Sequence, residues 1–255
     1  MTTEVQAARE WMSENADAVE HCCDHGLAFT FDACSAKGPK IECYFCSFGS
    51  IFTNQDDVTK KHTRHGIEQM CISVFCLNGL EEYQKICARE GRICAIKEIN
   101  VTFIEKLLRM AQTCNRLLSQ FETKHHLPFS LPLTAEMGNE SARFRSFLKI
   151  NPVYLQRLNI PALYQAGFYY AEHLDSIRCY YCDTKVRNWK EQYCNDDMFR
   201  EHALENPSCL HLVLTKGLPF VEAIMKERSK SKLLFQLLCA CMLMSVPNSF
   251  ALCVI

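Results

Sequence analysis

Two stretches of the chain carry the same ordered set of metal-seeking side chains, Cys43-x2-Cys46-x15-His62-x8-Cys71 and Cys179-x2-Cys182-x19-His202-x6-Cys209. Two cysteines separated by two residues place both sulfurs on one side of a tight turn. A distant His and Cys then complete a tetrahedron, the donor set of a closed structural zinc site. All four positions go to protein ligands, so no coordination position remains for a catalytic water. The copies also agree between ligands: Ile41-Glu42-Cys43-Tyr44-Phe45-Cys46 parallels Ile177-Arg178-Cys179-Tyr180-Tyr181-Cys182, and Asp56-Asp57 precedes His62 as Asp196-Asp197 precedes His202. The paired aspartates predict the capped start of a helix whose last turn presents the histidine. Their alignment selects His62 over the neighbouring His65. The pattern predicts a duplicated module with a zinc ion in each copy.

At 255 residues the chain has room for two such domains, each with its own core. A formal net charge of −1 with 22% charged residues removes the electrostatic footprint of a general nucleic-acid binder, so no nucleic-acid partner is expected. The cysteine count, 17, is odd, and the opening Met-Thr-Thr-Glu-Val-Gln has no basic region followed by an apolar stretch. Reduced thiols and metal sites are therefore expected rather than a disulfide framework, with a cytoplasmic location, and the Asn100 and Asn139 sequons carry no meaning. Residues 233–255 hold no charge and follow Lys226, Arg228, Lys230 and Lys232. That is long enough for one membrane span, although Pro247-Asn248-Ser249 interrupts it. A tail anchor and a core-docking or poorly ordered apolar tail both remain open.

Between these landmarks, residues 5–25 read as a helix ending at His21-Cys22-Cys23-Asp24-His25-Gly26, with Gly26 as its C-cap. The first module occupies 26–98. Phe103, Ile104, Leu107, Leu108, Ala111, Cys114, Leu117, Leu118 and Phe121 recur at helical spacing and predict an amphipathic helix over 101–123. Pro128, Pro132 and Gly138 mark 125–139 as a linker, so residues 99–140 separate the modules. The second module spans 141–229, leaving 1–25 and 230–255 as terminal segments. Within it, Arg143 to Leu148 and Pro161 to Ala166 read as short helices, and Phe168 to Tyr170 and Ile177 to Tyr181 as strands. Pro219 opens a last helix, Leu218 to Arg228.

The second module resembles the baculovirus inhibitor-of-apoptosis repeat. Arg143, Ser146-Phe147, Pro152, Leu163, Ala166-Gly167-Phe168-Tyr169-Tyr170, Asp175, Cys179, Cys182, Trp189, His202, Pro207 and Cys209 fall in that repeat's order. The first module is similar but degenerate: it keeps the ligands and Asp56-Asp57, while position 53, matching Trp189, is Thr. The resemblance implies an α+β chain of small zinc-stabilised modules, each a short three-stranded sheet surrounded by helices. It implies a groove beside the sheet edge that captures the free N-terminus of a peptide, usually starting with Ala, by strand addition. By motif position the groove comprises Val186, Arg187, Trp189, Asp196, Glu201 and Glu205. Asp196 would meet the peptide ammonium and Trp189 would wall the groove. The segment between Cys182 and His202 is a few residues longer than the family usually has, with the excess around Glu191 to Cys194. Glu205 stands where many members have an aromatic.

The function implied is an apoptosis inhibitor that binds caspases or their peptide antagonists, with zinc as its cofactor and no catalytic residues. Many members also end in a RING, which needs about eight Cys/His ligands. After His211 only Cys239, Cys241 and Cys253 follow, so none is expected. The uncharged tail at that position reads as a truncation, a shifted frame or an anchor. A Cys-His nucleophile would need a free thiolate beside a base, and the best-placed pairs are claimed by zinc. A tail-anchored membrane adaptor using the repeats for protein binding is the alternative function. The sequence does not choose an oligomeric state.

Overall fold

Each Cys-x2-Cys pair turns the corner of a β-hairpin. The computed structural model describes residues 3–25, 27–31, 39–43, 45–46, 48–112, 125–155, 158–172, 177–186 and 197–244. In the first half β1 (Leu27–Thr30), β2 (Lys40–Cys43) and β3 (Gly49–Ile51) form an antiparallel sheet in the order β1-β2-β3. In the second half β4 (Phe168–Tyr170), β5 (Ile177–Cys179) and β6 (Lys185–Val186) do the same. The registers Leu27↔Cys43 and Phe168↔Cys179 correspond, and Cys43 N–H bonds Phe48 O at 2.9 Å as Cys179 N–H bonds Thr184 O at 2.9 Å. Side chains alternate across a strand, so in β2 Lys40 and Glu42 face out while Ile41 and the Cys43 thiol face the core. β5 ends at Cys179 because Tyr180 and Tyr181 enter the metal-binding turn.

The helices place the remaining ligands. Residues 3–24 form two helices, α1 (Thr3–Glu14) and α2 (Ala16–Asp24), where the sequence suggested one. Asn15 supplies the break, its side-chain amide donating to Trp11 O at 2.9 Å, a local bond that competes with helix propagation. Trp11 packs on Phe29, Phe31 and Phe52 at centroid distances of 5.5, 5.7 and 5.4 Å, so α1 extends the core of the first sheet. Helix α3 (Gln55–Glu68) is capped by Asn54, which accepts the Asp57 N–H at 2.9 Å. The paired aspartates lie inside its first turn, and His62 sits mid-helix rather than in the last turn. Replacing Asn54 with alanine should cost about 1 kcal/mol, read as an unfolding midpoint shift at unchanged metal content. Helix α4 (Ile72–Arg89) is kinked at Gly79, and α5 (Val101–Gln112) buries Phe103, Ile104, Leu107 and Leu108. The predicted continuation of α5 through 113–123 lies outside the described residues.

Residues 125–139 differ from a free linker. Pro128 and Pro132 suppress helix, yet Leu133 and Thr134 N–H groups donate to Tyr181 O and Tyr180 O at 3.2 and 2.9 Å, and the Tyr181 hydroxyl donates to Ser130 O. After a short 3-10 turn (Ala135–Met137) come α6 (Glu140–Phe147), α7 (Pro152–Leu155) and α8 (Ile160–Gln165), the last with Asn159 accepting Ala162 N–H at 3.2 Å. Then follow α9 (Met198–Glu205), α10 (Leu210–Lys216) and α11 (Leu218–Met244), which runs well past the expected Arg228. Among the described residues no helix is long and apolar enough to cross a membrane. The buried core runs from one half to the other, with α4 lying across α10 and the start of α11.

Candidate metal centres and the acidic rim

In the second half four elements converge on one point: Cys179 ends β5, Cys182 lies in the turn after it, His202 projects from α9, and Cys209 is the N-cap of α10. Their donor atoms all lie within 4.8 Å of one another. Cys179 Sγ is 4.0 Å from Cys209 Sγ, and Cys182 Sγ is 3.3 Å from His202 Nε2. A tetrahedron with Zn–S bonds of about 2.3 Å has edges of about 3.8 Å, so this spacing suits one zinc ion. Surrounding groups tune the ligands. The Tyr181 N–H points at Cys179 Sγ at 3.4 Å, and the Thr184 hydroxyl lies 3.1 Å from Cys182 Sγ. His202 Nδ1 donates to Ala166 O at 2.9 Å, which fixes the tautomer that leaves Nε2 free as a ligand. Cys179, His202 and Cys209 are buried. Three thiolates gathered there without a cation would be strongly unfavourable, so the donor set itself calls for a divalent soft-ligand metal.

The first half repeats the arrangement. Cys43, Cys46, His62 and Cys71 also bring their donor atoms within 4.8 Å of one another. Cys43 and Cys71 Sγ are 3.6 Å apart, and His62 Nε2 is 3.6 Å from the sulfurs of both Cys46 and Cys71. The Phe45 N–H points at Cys43 Sγ at 3.3 Å, matching Tyr181, and Ser73 Oγ lies 3.1 Å from Cys71 Sγ. Cys71 is the N-cap of α4 as Cys209 is of α10. Both clusters could hold zinc. The run His21 to His25 forms no third cluster among the described residues. There His25 Nδ1 bonds His21 O at 2.8 Å, and burial, with Cys23 alongside, pushes the Cys22 thiol up to about 11.

The residues expected to form a groove divide. Arg187, Trp189 and Asp196 lie outside the described residues. Val186 sits on β6 with its side chain in the core, so it offers a ligand its backbone. β6 is an edge strand of its sheet. Glu201 and Glu205 lie on α9 and line a cleft of about 340 Å³ with Arg200, Leu204, Arg228 and Ser231. Asp197 is the N-cap of α9, its carboxylate accepting the Arg200 N–H at 2.9 Å. In the first half the corresponding acid is differently engaged. Asp57 accepts from Thr53 Oγ1 at 3.0 Å and pairs with Lys61 at 2.7 Å, which lowers its pKa, Lys61 contributing most.

Sequence reasoning left two supporting groups without a structural role. Arg143 has a fully buried guanidinium donating to Tyr164 O, Met137 O and Gly138 O at 2.8, 2.9 and 3.0 Å, with its carbon 4.7 Å from the Tyr180 ring centre. His211 meets the same ring edge-on, with ring centres 5.1 Å apart and planes at 73°. Burial and the Arg143 charge push its pKa down to about 3, so it is neutral, Nε2 donating to Gln165 O at 3.0 Å and Nδ1 accepting from the Tyr180 hydroxyl at 3.1 Å. No local sequence signal marks a buried Arg or His. Together they fix the tyrosine next to Cys179.

Residues 143–213 match the family model described as BIR, the Inhibitor of Apoptosis domain. The chain is 29% identical over 161 residues to Death-associated inhibitor of apoptosis 2 of Drosophila melanogaster, an alignment covering 59% of this chain and 31% of that protein. It is 33% identical over 86 residues to Apoptosis inhibitor 1 of Autographa californica nuclear polyhedrosis virus, covering 34% and 29%. With Baculoviral IAP repeat-containing protein 3 of Canis lupus familiaris it shares 41% over 102 residues, covering 40% and 16%. The chain thus spans less than a third of the length of these relatives.

Proposed function

We propose that this chain, whose residues 143–213 form a BIR, an Inhibitor of Apoptosis domain, is a non-enzymatic apoptosis inhibitor that binds caspases or their peptide antagonists by capturing a free N-terminus beginning with Ala. The observation that carries this reading is a closed four-ligand cluster inside the matched segment, flanked by the edge strand β6 and the acidic residues of α9. A strand edge supplies backbone partners for an extended peptide, and carboxylates supply the counter-charge for its ammonium. The groove residues are Val186, Arg187, Trp189, Asp196, Glu201 and Glu205, with Asp196 as the ammonium partner. The first module contributes a zinc fold and no second groove, because Thr53 stands where the second module has its tryptophan. Zinc in both modules is structural, every ligand coming from the protein.

The test is a titration of the zinc-loaded full chain with a peptide beginning with free Ala against its N-acetylated twin. The free peptide should bind at least about tenfold tighter, since unpairing a desolvated charge commonly costs about 2 to 5 kcal/mol. Trp189→Ala should weaken it by about 2 kcal/mol or more while metal content stays at two ions. Asp196→Asn should shrink the difference between the twins. Equal weak binding of both peptides would remove the groove reading. A coupling found at Glu201 instead would move the anchor onto α9.

A further inference from the structure

The same signal recurs just beyond each zinc cluster. Gly79 follows Cys71 by eight residues and precedes Leu80, and Gly217 follows Cys209 by eight residues and precedes Leu218. Both glycines interrupt a helix in the same unusual conformation, Gly79 at φ 71°, ψ 168° and Gly217 at φ 86°, ψ 156°, a left-handed region that disfavours any side chain. They meet each other. A Cβ on Gly79 would lie 2.5 Å from Gly217 N and 2.8 Å from Thr215 O, and a Cβ on Gly217 would lie 2.8 Å from Leu77 O. The contact is reciprocal, as between two equivalent surfaces, and it admits only backbone. Beside it Lys216 pairs with Glu81 of α4, and the Lys216 ammonium lies 4.2 Å from the ring centre of Phe199 on α9. Phe199 precedes the ligand His202 by one turn of that helix.

We propose that the first module serves as a brace for the second: α4, anchored at one end by the Cys71 ligand, holds α10 and, through Lys216 and Phe199, the zinc-bearing helix α9. In this arrangement the degenerate module needs no groove of its own. Its work is to hold in place the helix that carries His202, Glu201 and Glu205, and metal retention at the second cluster depends on the crossing. The inference concerns metal retention and stands whether or not a peptide binds.

The test uses the full chain loaded with two zinc ions and challenged with a chelator. Pulsed thiol alkylation and mass spectrometry assign each released ion to its own cysteines. Gly79→Ala, far from Cys179 in sequence and touching no ligand, should speed zinc loss from Cys179, Cys182 and Cys209 about tenfold, because backbone strain and contact at such a position act together. Gly91→Ala is the control: Gly91 also has a positive φ, 64°, but nothing lies within 4 Å of its Cβ position. It should change that rate less than about twofold. Glu81→Gln, which removes the ion pair without steric change, should speed the same loss about threefold and keeps the test alive if Gly79→Ala does not fold. Unchanged release from the second cluster in Glu81→Gln, or equal acceleration by Gly91→Ala and Gly79→Ala, would overturn the brace.

Discussion

The 255-residue chain carrying Cys179→Ala should hold one zinc ion rather than two and lose the cooperative fold of its second half. Little besides the metal cluster holds that half together. Its sheet has strands of three, three and two residues, and the segments between α6 and α10 are short helices and turns. Such elements are marginal alone, whereas structural zinc contributes about 10 to 16 kcal/mol of apparent binding free energy at neutral pH. That free energy is available only to the folded chain, because the four ligands come from β5, its following turn, α9 and α10. Removing Cys179 leaves two thiolates and an imidazole that cannot close a tetrahedron, and it also removes the sulfur that accepts the Tyr181 N–H. Metal analysis and a thermal melt followed by near-ultraviolet circular dichroism check this. Cys43→Ala should lose the other ion, and stripping both with a chelator should unfold the second half in wild-type chain. A chelated chain that still melts cooperatively over residues 140–216 would show that packing, not metal, holds the module.

How far this architecture could be read from residues follows from what each signal encodes. The two Cys/His clusters were legible because coordination chemistry dictates spacing, and the donor atoms of each lie within 4.8 Å of one another. Strands flanking the ligands were legible for the same reason, except that β5 stops at Cys179 once the chain commits to the turn. Caps were less so: Asn54, not the Asp pair, starts α3, since several polar residues in a row compete for one role and only the backbone decides. The repeat of Cys-x7-Gly-Leu was visible in both halves, yet spacing alone says neither that Gly79 and Gly217 take positive φ nor that they touch. Nor could Pro128 and Pro132 reveal that their segment finds its hydrogen bonds on Tyr180 and Tyr181. The proposed groove rests on family resemblance alone, and Arg187, Trp189 and Asp196 lie outside the described residues.

Arg143 is where the second-largest loss is expected, and competing terms set its size. Its guanidinium has no solvent exposure, and burial lowers its pKa from the usual arginine value, which marks a real desolvation cost. Against that cost stand three charge-assisted bonds, to Tyr164 O, Met137 O and Gly138 O, and the face of the Tyr180 ring. Nη2 finds no hydrogen-bond acceptor among the described residues, so satisfaction is incomplete. Arg143→Ala deletes the cation and its bonds together, taking the side-chain donor from Met137 O and Gly138 O, while Tyr164 O keeps the Gly167 N–H at 3.1 Å, around a cavity that joins α6, α8 and the turn at Ala135–Met137. A loss of about 3 to 5 kcal/mol is expected, or several degrees of melting temperature per kcal/mol for a domain this small. Arg143→Lys should recover little of it, because an ammonium cannot match the planar fork that reaches Tyr164 O and Met137 O at once. Arg143→Met decides between the terms. It fills similar volume without charge, so a Met variant as stable as wild type would mean that the desolvation cost cancels the bonds. A Met variant at least about 2 kcal/mol less stable would mean that the loss of the donors to Met137 O and Gly138 O dominates, at about 1 to 3 kcal/mol for each carbonyl left buried and unpaired.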